Sequence, residues 1–323
     1  MLRRSFIVAG IGCTVFGPII RAQQGMYPTH PVKMVVAFPA GNGADAMARA
    51  VARNMSNVIN QSIYIDNRPG NAAISHGMVK TALPDGYTLL IASNGTLAIN
   101  PNLFSKLPYD PIKDFEGIGT IAGAPNVLYT RSDHPVSNLT EMLQYTKARP
   151  GMLTAASIGI GTTGHLSMEM LKTLTGIDII HVPFKGSADV FSAIVGGQVD
   201  FAFDSISAIL PFGQSGRIKM LGITSKIRSP TLKDLPTISE QGISGFESIG
   251  WAALLAPKGT PREIVNILNS ALNQSLKDPQ VLTNLLKNGS FPMPNTAIEF
   301  DEFLAKEIKR WGLVVRAANI NMD

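Results

Sequence analysis

Two glycine-rich turns hold most of the chemistry this sequence offers. Phe38-Pro39-Ala40-Gly41-Asn42-Gly43 and Ser157-Ile158-Gly159-Ile160-Gly161-Thr162-Thr163-Gly164 each sit between a short apolar run and an amphipathic one. Glycine admits close backbone approach, and the helix behind such a turn presents unpaired N–H groups at its positive end. Two turns of this kind facing each other make a clamp for anions. A second reading stays open, because Gly41, Gly43 and Ala46 fit G-x-G-x-x-A while Gly159, Gly161 and Gly164 fit G-x-G-x-x-G, the dinucleotide pattern. Asp66 closes the strand after the first turn, where a ribose acid is expected; the strand after the second ends at Phe184-Lys185 without one. Plain tight turns that bind nothing are the third reading. The anion clamp is the one favoured here, and no cofactor is expected.

A clamp of amides has no need of an arginine. A helix N-terminus contributes about 0.3–1 kcal/mol to an anion, up to about 2 when partly buried, and each hydrogen bond to a charged group about 1.5–3. Four or five such bonds with two helix ends reach micromolar affinity, about 8 kcal/mol. The contacts expected from the turns are Phe38, Ala40, Gly41, Asn42 and Gly43 in one and Ser157, Gly159, Gly161 and Thr162 in the other. Further candidates stand where strands end: Ser93, Asn94 and Thr96 after one, Lys185 and Asp204 after two others. Each has a plain alternative, an ordinary turn for the first three and an exposed lysine for Lys185. Asp204 suits a water or an amine. His165 either donates to a ligand or ties down its own loop from within. Asp45 is read as first-turn helix charge paired with Arg49, four residues on.

The five histidines, at positions 30, 76, 134, 165 and 181, follow no metal-ligand spacing, and no G-x-S-x-G elbow occurs. No metal site is expected.

The elements that position these residues read as an α/β protein with mainly parallel sheets. Val32 to Phe38 is an apolar strand, and Ala44 to Asn57 a helix with Met47, Val51 and Met55 on one face. Strands are also expected over 62–66, 87–92, 115–131, 153–157, 179–184, 199–204 and 246–256. Helices are expected over about 74–82, 139–147, 165–174, 188–195, 262–276, 280–286 and 298–317. Two α/β lobes follow, 27–125 with 247–323 and 126–246, joined by extended crossings, with the C-terminal helices returning to the first lobe. Hinge motion is expected near residues 124–130 and 246–254.

Residues 1–22 read as a secretory signal peptide: Arg3 and Arg4, an apolar run to Ile20, then Ala22. The run is shorter than the roughly 20 residues a spanning helix needs, and Arg3-Arg4-Ser5-Phe6-Ile7 suits Tat export as well as Sec. Its loss removes Arg3, Arg4 and Arg21 and no acid, so the formal charge falls from +5 to +2. A balance that small, without a basic block and with few aromatics, gives no case for nucleic acid as a partner. Cys13 is the only cysteine and leaves with the leader, which rules out disulfides and thiolate chemistry in the mature chain.

An ordered set of motifs then resembles one family. Phe38-Pro39-Ala40-Gly41, Asn67-Arg68-Pro69-Gly70, Pro84-Asp85-Gly86-Tyr87-Thr88-Leu89, Ala98-Ile99-Asn100-Pro101, Gly159-Ile160-Gly161-Thr162 with His165, His181-Val182-Pro183-Phe184-Lys185-Gly186, and Pro236-Thr237 with Glu240 and Gly242 resemble the Bug family of tripartite tricarboxylate transporter receptors. The resemblance implies a two-lobe periplasmic-binding-protein (Venus flytrap) fold, with a small carboxylate held between the lobes by the loops on Phe38 to Gly43 and Ser157 to Thr162. It also implies a monomeric, non-enzymatic periplasmic receptor that hands its ligand to a membrane permease. Three departures bear on the ligand: Asn71-Ala72-Ala73 after Gly70, Asn42 after Gly41, and Gly164 before His165. The rival classes are an exported enzyme acting on a small carboxylate and a sensor feeding a signalling partner.

Overall fold

The computed structural model describes residues 27–37, 40, 43–68 and 72–322. In chain order the first elements are β1 (Val32–Val36), α1 (Gly43–Val58), β2 (Ile63–Asn67), α2 (Ala72–Lys80) and β3 (Thr88–Ser93). A five-residue π-helical turn (Gly95–Ile99), α3 (Asn100–Leu103) and the long β4 (Phe115–Arg131) follow. Next come α4 (Leu139–Lys147), β5 (Thr154–Ser157), α5 (Thr163–Thr175), β6 (Ile180–Pro183), α6 (Ser187–Val195), β7 (Phe201–Ser205), α7 (Ile206–Gln214) and β8 (Ile218–Ile223). The chain ends with β9 (Ile249–Pro257), α8 (Arg262–Ser275), α9 (Pro279–Lys287), β10 (Phe291–Pro292) and α10 (Ala297–Ala317).

Local chemistry sets many of these boundaries. Asn138 caps α4, Asp278 caps α9 just before Pro279, and Thr296 with Glu299 makes a capping box for α10. Gly176, in the left-handed region at φ 68°, closes α5.

The strands form one curled sheet in the order β2-β1-β3-β9-β4-β7-β5-β6, with β8 and β10 paired to β4 off that path. The outer pairs β1–β2, β1–β3, β5–β6 and β5–β7 are parallel. The central pairs are not. β3–β9, β4–β9, β4–β7 and β4–β8 are all antiparallel, so the mainly parallel sheet expected from the alternation is confined to the two wings. The reason is that β4 and β9 cross between the halves in opposite directions. β4 pairs with β9 as far as Pro125↔Ile249, then with β7 and β8 from Asn126 and Val127 onward.

The core divides unevenly over the two faces. On one face a single cluster reaches from Leu90 and Phe115 to Phe201, Phe203 and Trp311, under α5 and α10. On the other, the apolar residues split into one cluster around α1, α8 and α9 and another around α6 and α7. α10 does not return to the first half alone, because it packs on α5 as well as on α3 and β4. Among the described residues, no helix is long and apolar enough to cross a membrane.

Candidate functional site

A cavity of about 290 Å³ opens on the divided face, where Met47, Ala122 and Leu285 of one cluster meet Ile206 of the other. Its polar lining is Ser93 and Asn94 at the end of β3, Ser205 and Ser207 at the start of α7, and Asn288 and Ser290 between α9 and β10. No acidic, basic or histidine side chain lines it among the described residues. The floor is made of small residues on the crossing strands, Ala122, Ala124, Gly250 and Ala252.

Of the residues singled out in the sequence, Ser93 and Asn94 line this cavity directly. Asn94 is buried and its amide donates to Thr163 Oγ1 at 3.2 Å, joining the end of β3 to the start of α5. Thr96 turns away and donates to the Ser93 carbonyl at 3.0 Å. The segment after β3, whose plain alternative to a ligand contact is an ordinary turn, is helical from Asn94, entering the π-helical turn, a geometry frequent at functional sites. Ala40 is exposed, and Gly43 opens α1. Phe38, Gly41 and Asn42 lie outside the described residues.

The second glycine turn is held together from within. The Ser157 hydroxyl lies 2.9 Å from the Gly159 carbonyl, to which it donates, and 2.7 Å from His181 Nε2, within hydrogen-bond distance of both. Thr162 caps α5 through the His165 amide and donates to the Gly159 carbonyl at 2.7 Å. His165 is buried and accepts from the Gly161 N–H through Nδ1 at 3.1 Å, so it ties down its loop. The rings of His165 and His181 stack with centroids 3.7 Å apart. Burial, then the neighbouring His181 and Lys172, push His165 down to about 3; burial and Lys172 push His181 down to about 4. Both imidazoles are neutral at pH 7. The Ser157–His181 pair has the look of a nucleophile and its base, yet Ser157 is fully buried and spends its hydroxyl on the loop.

Each glycine of this G-x-G-x-x-G has a conformational or a packing reason. Gly159 and Gly161 adopt φ of 138° and 76°, and a Cβ on Gly161 would run into Leu103 Cδ1. A Cβ on Gly164 would lie 2.6 Å from the Phe203 carbonyl, so this glycine lets α5 approach β7. Ile158 and Ile160, on either side of Gly159, are exposed.

Asp45 pairs with Arg49 at 2.8 Å, as its spacing suggests, and also accepts from the Asn67 amide at 2.8 Å. Lys185 is exposed and makes no ion pair among the described residues. Asp204 is buried, accepts from the Ser205 N–H at 2.7 Å through one oxygen, and leaves the other without a partner; burial raises its pKa.

Sequence reasoning missed Ser207, Asn288 and Ser290. Ser205, a good N-cap residue ahead of Ile206, Ile209 and Leu210, is a helix-start signal, and Pro211 inside the segment is a signal against one. Asn288-Gly289 signals only a helix end, with Gly289 at φ 66°.

Comparison with known proteins completes the picture. Residues 47–320 match the family described as tripartite tricarboxylate transporter family receptor. Protein BugT of Bordetella pertussis is 32% identical over 98% of this chain and 97% of its own length. Among solved structures, R. palustris Rpa4515 with adipate is 35% identical with a TM-score of 0.78, covering 91% of this chain and 99% of that one. MatC from Rhodopseudomonas palustris with bound malate is 33% identical with a TM-score of 0.72, covering 90% and 100%. The chain belongs to the tripartite tricarboxylate transporter receptor family, among the Bug proteins.

Proposed function

We propose that this receptor binds a small organic carboxylate in the cavity between the two halves of its sheet and delivers it to a tripartite tricarboxylate transporter permease from the periplasm. The observation that carries the reading is the lining: uncharged hydroxyls and two amides around an apolar floor, with the start of α5 reached through Asn94. Such a site recognises an anion by hydrogen bonds and helix ends rather than by a countercharge. The solved relatives with adipate and malate support the same class of ligand. Ser93 and Asn94 are its direct contacts, and Phe38, Ala40, Gly41, Asn42 and Gly43 are the contacts assigned to the first glycine turn. Ser157, Gly159, Gly161, Thr162 and His165 hold the α5 start in place. Thr96 positions Ser93, Lys185 biases the crevice toward anions, and Asp204 takes a donor group or a water.

The lobes in this reading are 27–125 with 247–323 and 126–246, a division supported by the change of partners along β4 at Pro125. Closure turns on that point. The protein acts as a monomer without catalysis, and residues 1–22 direct its export by Sec or Tat. A thermal-shift and calorimetry screen of dicarboxylates, amino acids and aromatic acids tests it, since a ligand that binds the folded state raises the melting temperature. At least one acid should bind stoichiometrically, without turnover, at micromolar affinity. If the screen is silent at millimolar ligand, or an acid is consumed, the receptor reading fails.

A further inference from the structure

We propose that Asn288 and Ser290, on the turn between α9 and β10, form with Ser207 a distal subsite that holds a second polar terminus of the ligand. The inference rests on the carboxylate reading above and adds the shape of the ligand: polar groups at both ends of an apolar body.

Strand register gives the spacing. Ser93 on β3 stands opposite Ala252 on β9, Ala252 opposite Ala122 on β4, and Ala122 opposite Pro292 on β10. Because β9 already takes one edge of β4 at Ala122 and Gly123, β10 pairs with the other edge. Three strand spacings therefore separate Ser93 from β10, roughly 14 Å in a flat sheet. Ser290 immediately precedes β10, and Ser205 on β7, paired with Asn126 of β4, shares that edge of β4. The polar lining thus falls into two groups, Ser93 with Asn94 on one side and Ser205, Ser207, Asn288 and Ser290 on the other. Between them lie Ala122, Ala124, Gly250 and Ala252, which offer a ligand no polar side chain.

The far wall is a built surface rather than a free loop. Gly289 is buried against Ile206, into which a Cβ would run, and the Thr231 hydroxyl donates to the Leu286 carbonyl at 3.1 Å. The α9–β10 turn, from one half, is therefore seated on α7, from the other. Its side chains retain bonding capacity. The Asn288 amide donates to the Asn284 carbonyl at 2.8 Å, leaving its oxygen free, and the Ser290 hydroxyl has no partner among the described residues. The Ser290 backbone N–H is already bound to the Leu285 carbonyl at 2.9 Å, so the turn keeps its shape when either side chain is trimmed. An amide oxygen and hydroxyls without a charged side chain suit a hydroxyl or a hydrated carboxylate and give nothing to a methyl terminus.

Calorimetry on the full mature chain with acids of equal carbon number tests this: hexanoate, its ω-hydroxy acid and adipate, with the four- and eight-carbon sets beside them. Wild-type protein should bind the acids with a second polar terminus about tenfold more tightly than the methyl-terminated acid, as expected of one or two hydrogen bonds. The double variant Asn288→Ala/Ser290→Ala should reduce that preference to about threefold or less, while its affinity for the monoacid and its melting curve stay unchanged. Ser290→Met, which narrows the far end, should shift the optimum toward shorter acids. A wild-type protein indifferent to the second terminus, or a preference that survives the double variant, overturns the subsite and leaves the carboxylate reading standing. No binding of any acid by the wild-type protein sinks both.

Discussion

The starts of α5 and α7 make an instructive pair. Both helices begin at the end of a strand in the same half, and both are preceded by a hydroxyl residue in extended conformation. At α5 the hydroxyl of Thr162 caps the helix, and the glycine turn before it is consumed by bonds to Ser157, His165 and its own carbonyls. At α7 the Ser205 side chain caps nothing, lying 3.3 Å from the Ser207 hydroxyl, and both serines line the cavity. The region with the conspicuous motif is internally satisfied, and the region without one is open. Glycine marks where backbone must bend or be approached, which packing can demand as readily as a ligand can. A serine ready to bond a guest needs no unusual conformation and leaves no pattern.

The largest expected effect follows from the packing of the glycine turn. Gly161→Val meets a left-handed backbone and the Leu103 side chain together, and should cost about 2–4 kcal/mol in urea unfolding. That differs from the outcome expected of a turn facing open crevice, where bulk would abolish binding and leave stability intact. An unchanged unfolding midpoint would reverse the contrast between the two helix starts.

The histidines behind the same turn give the next effect. His165 and His181 are held at about 3 and about 4, below the ordinary imidazole value of 6.5, so the unfolded chain takes up protons first as pH falls. The stability they contribute is whole above pH 6.5, declines through about 4 and is gone by about 3. His165, the more deeply buried of the two, carries the larger share, and solvent screening reduces that of the partly exposed His181. Chemical unfolding at a series of pH values should show this slope, reduced in His165→Gln/His181→Gln relative to the wild-type protein. Parallel curves for the two would mean the pair does not anchor the turn.

The fold was readable because its signals are local and repeated. The long strand 115–131 and the helix 139–147 stand where apolar runs and their turn residues put them. What escaped was decided by tertiary pairing. Whether β4 and β9 run parallel or antiparallel depends on how the chain crosses between halves, and α7 carries an interior Pro211, which the helix accommodates. At the site, Ser93 and Asn94 were found because ligands sit beyond strand ends, a rule of topology. Asn288 and Ser290 were not, since only the seating of Gly289 against Ile206 brings their turn to the cavity.

The smallest effect is also the most direct separation of the two helix starts. Thr162→Ala removes a cap and should cost about 1 kcal/mol of stability. Ser205→Ala removes a hydroxyl that caps nothing, so the melting curve should hold while affinity for the bound acid falls about fivefold, the worth of one hydrogen bond. Measured side by side by denaturation and calorimetry, the two substitutions should exchange signatures: stability moves at α5, affinity at α7. Should Ser205→Ala destabilise the chain as Thr162→Ala does, with affinity untouched, the α7 start is a structural joint like its neighbour, and the cavity has lost its polar edge on that side.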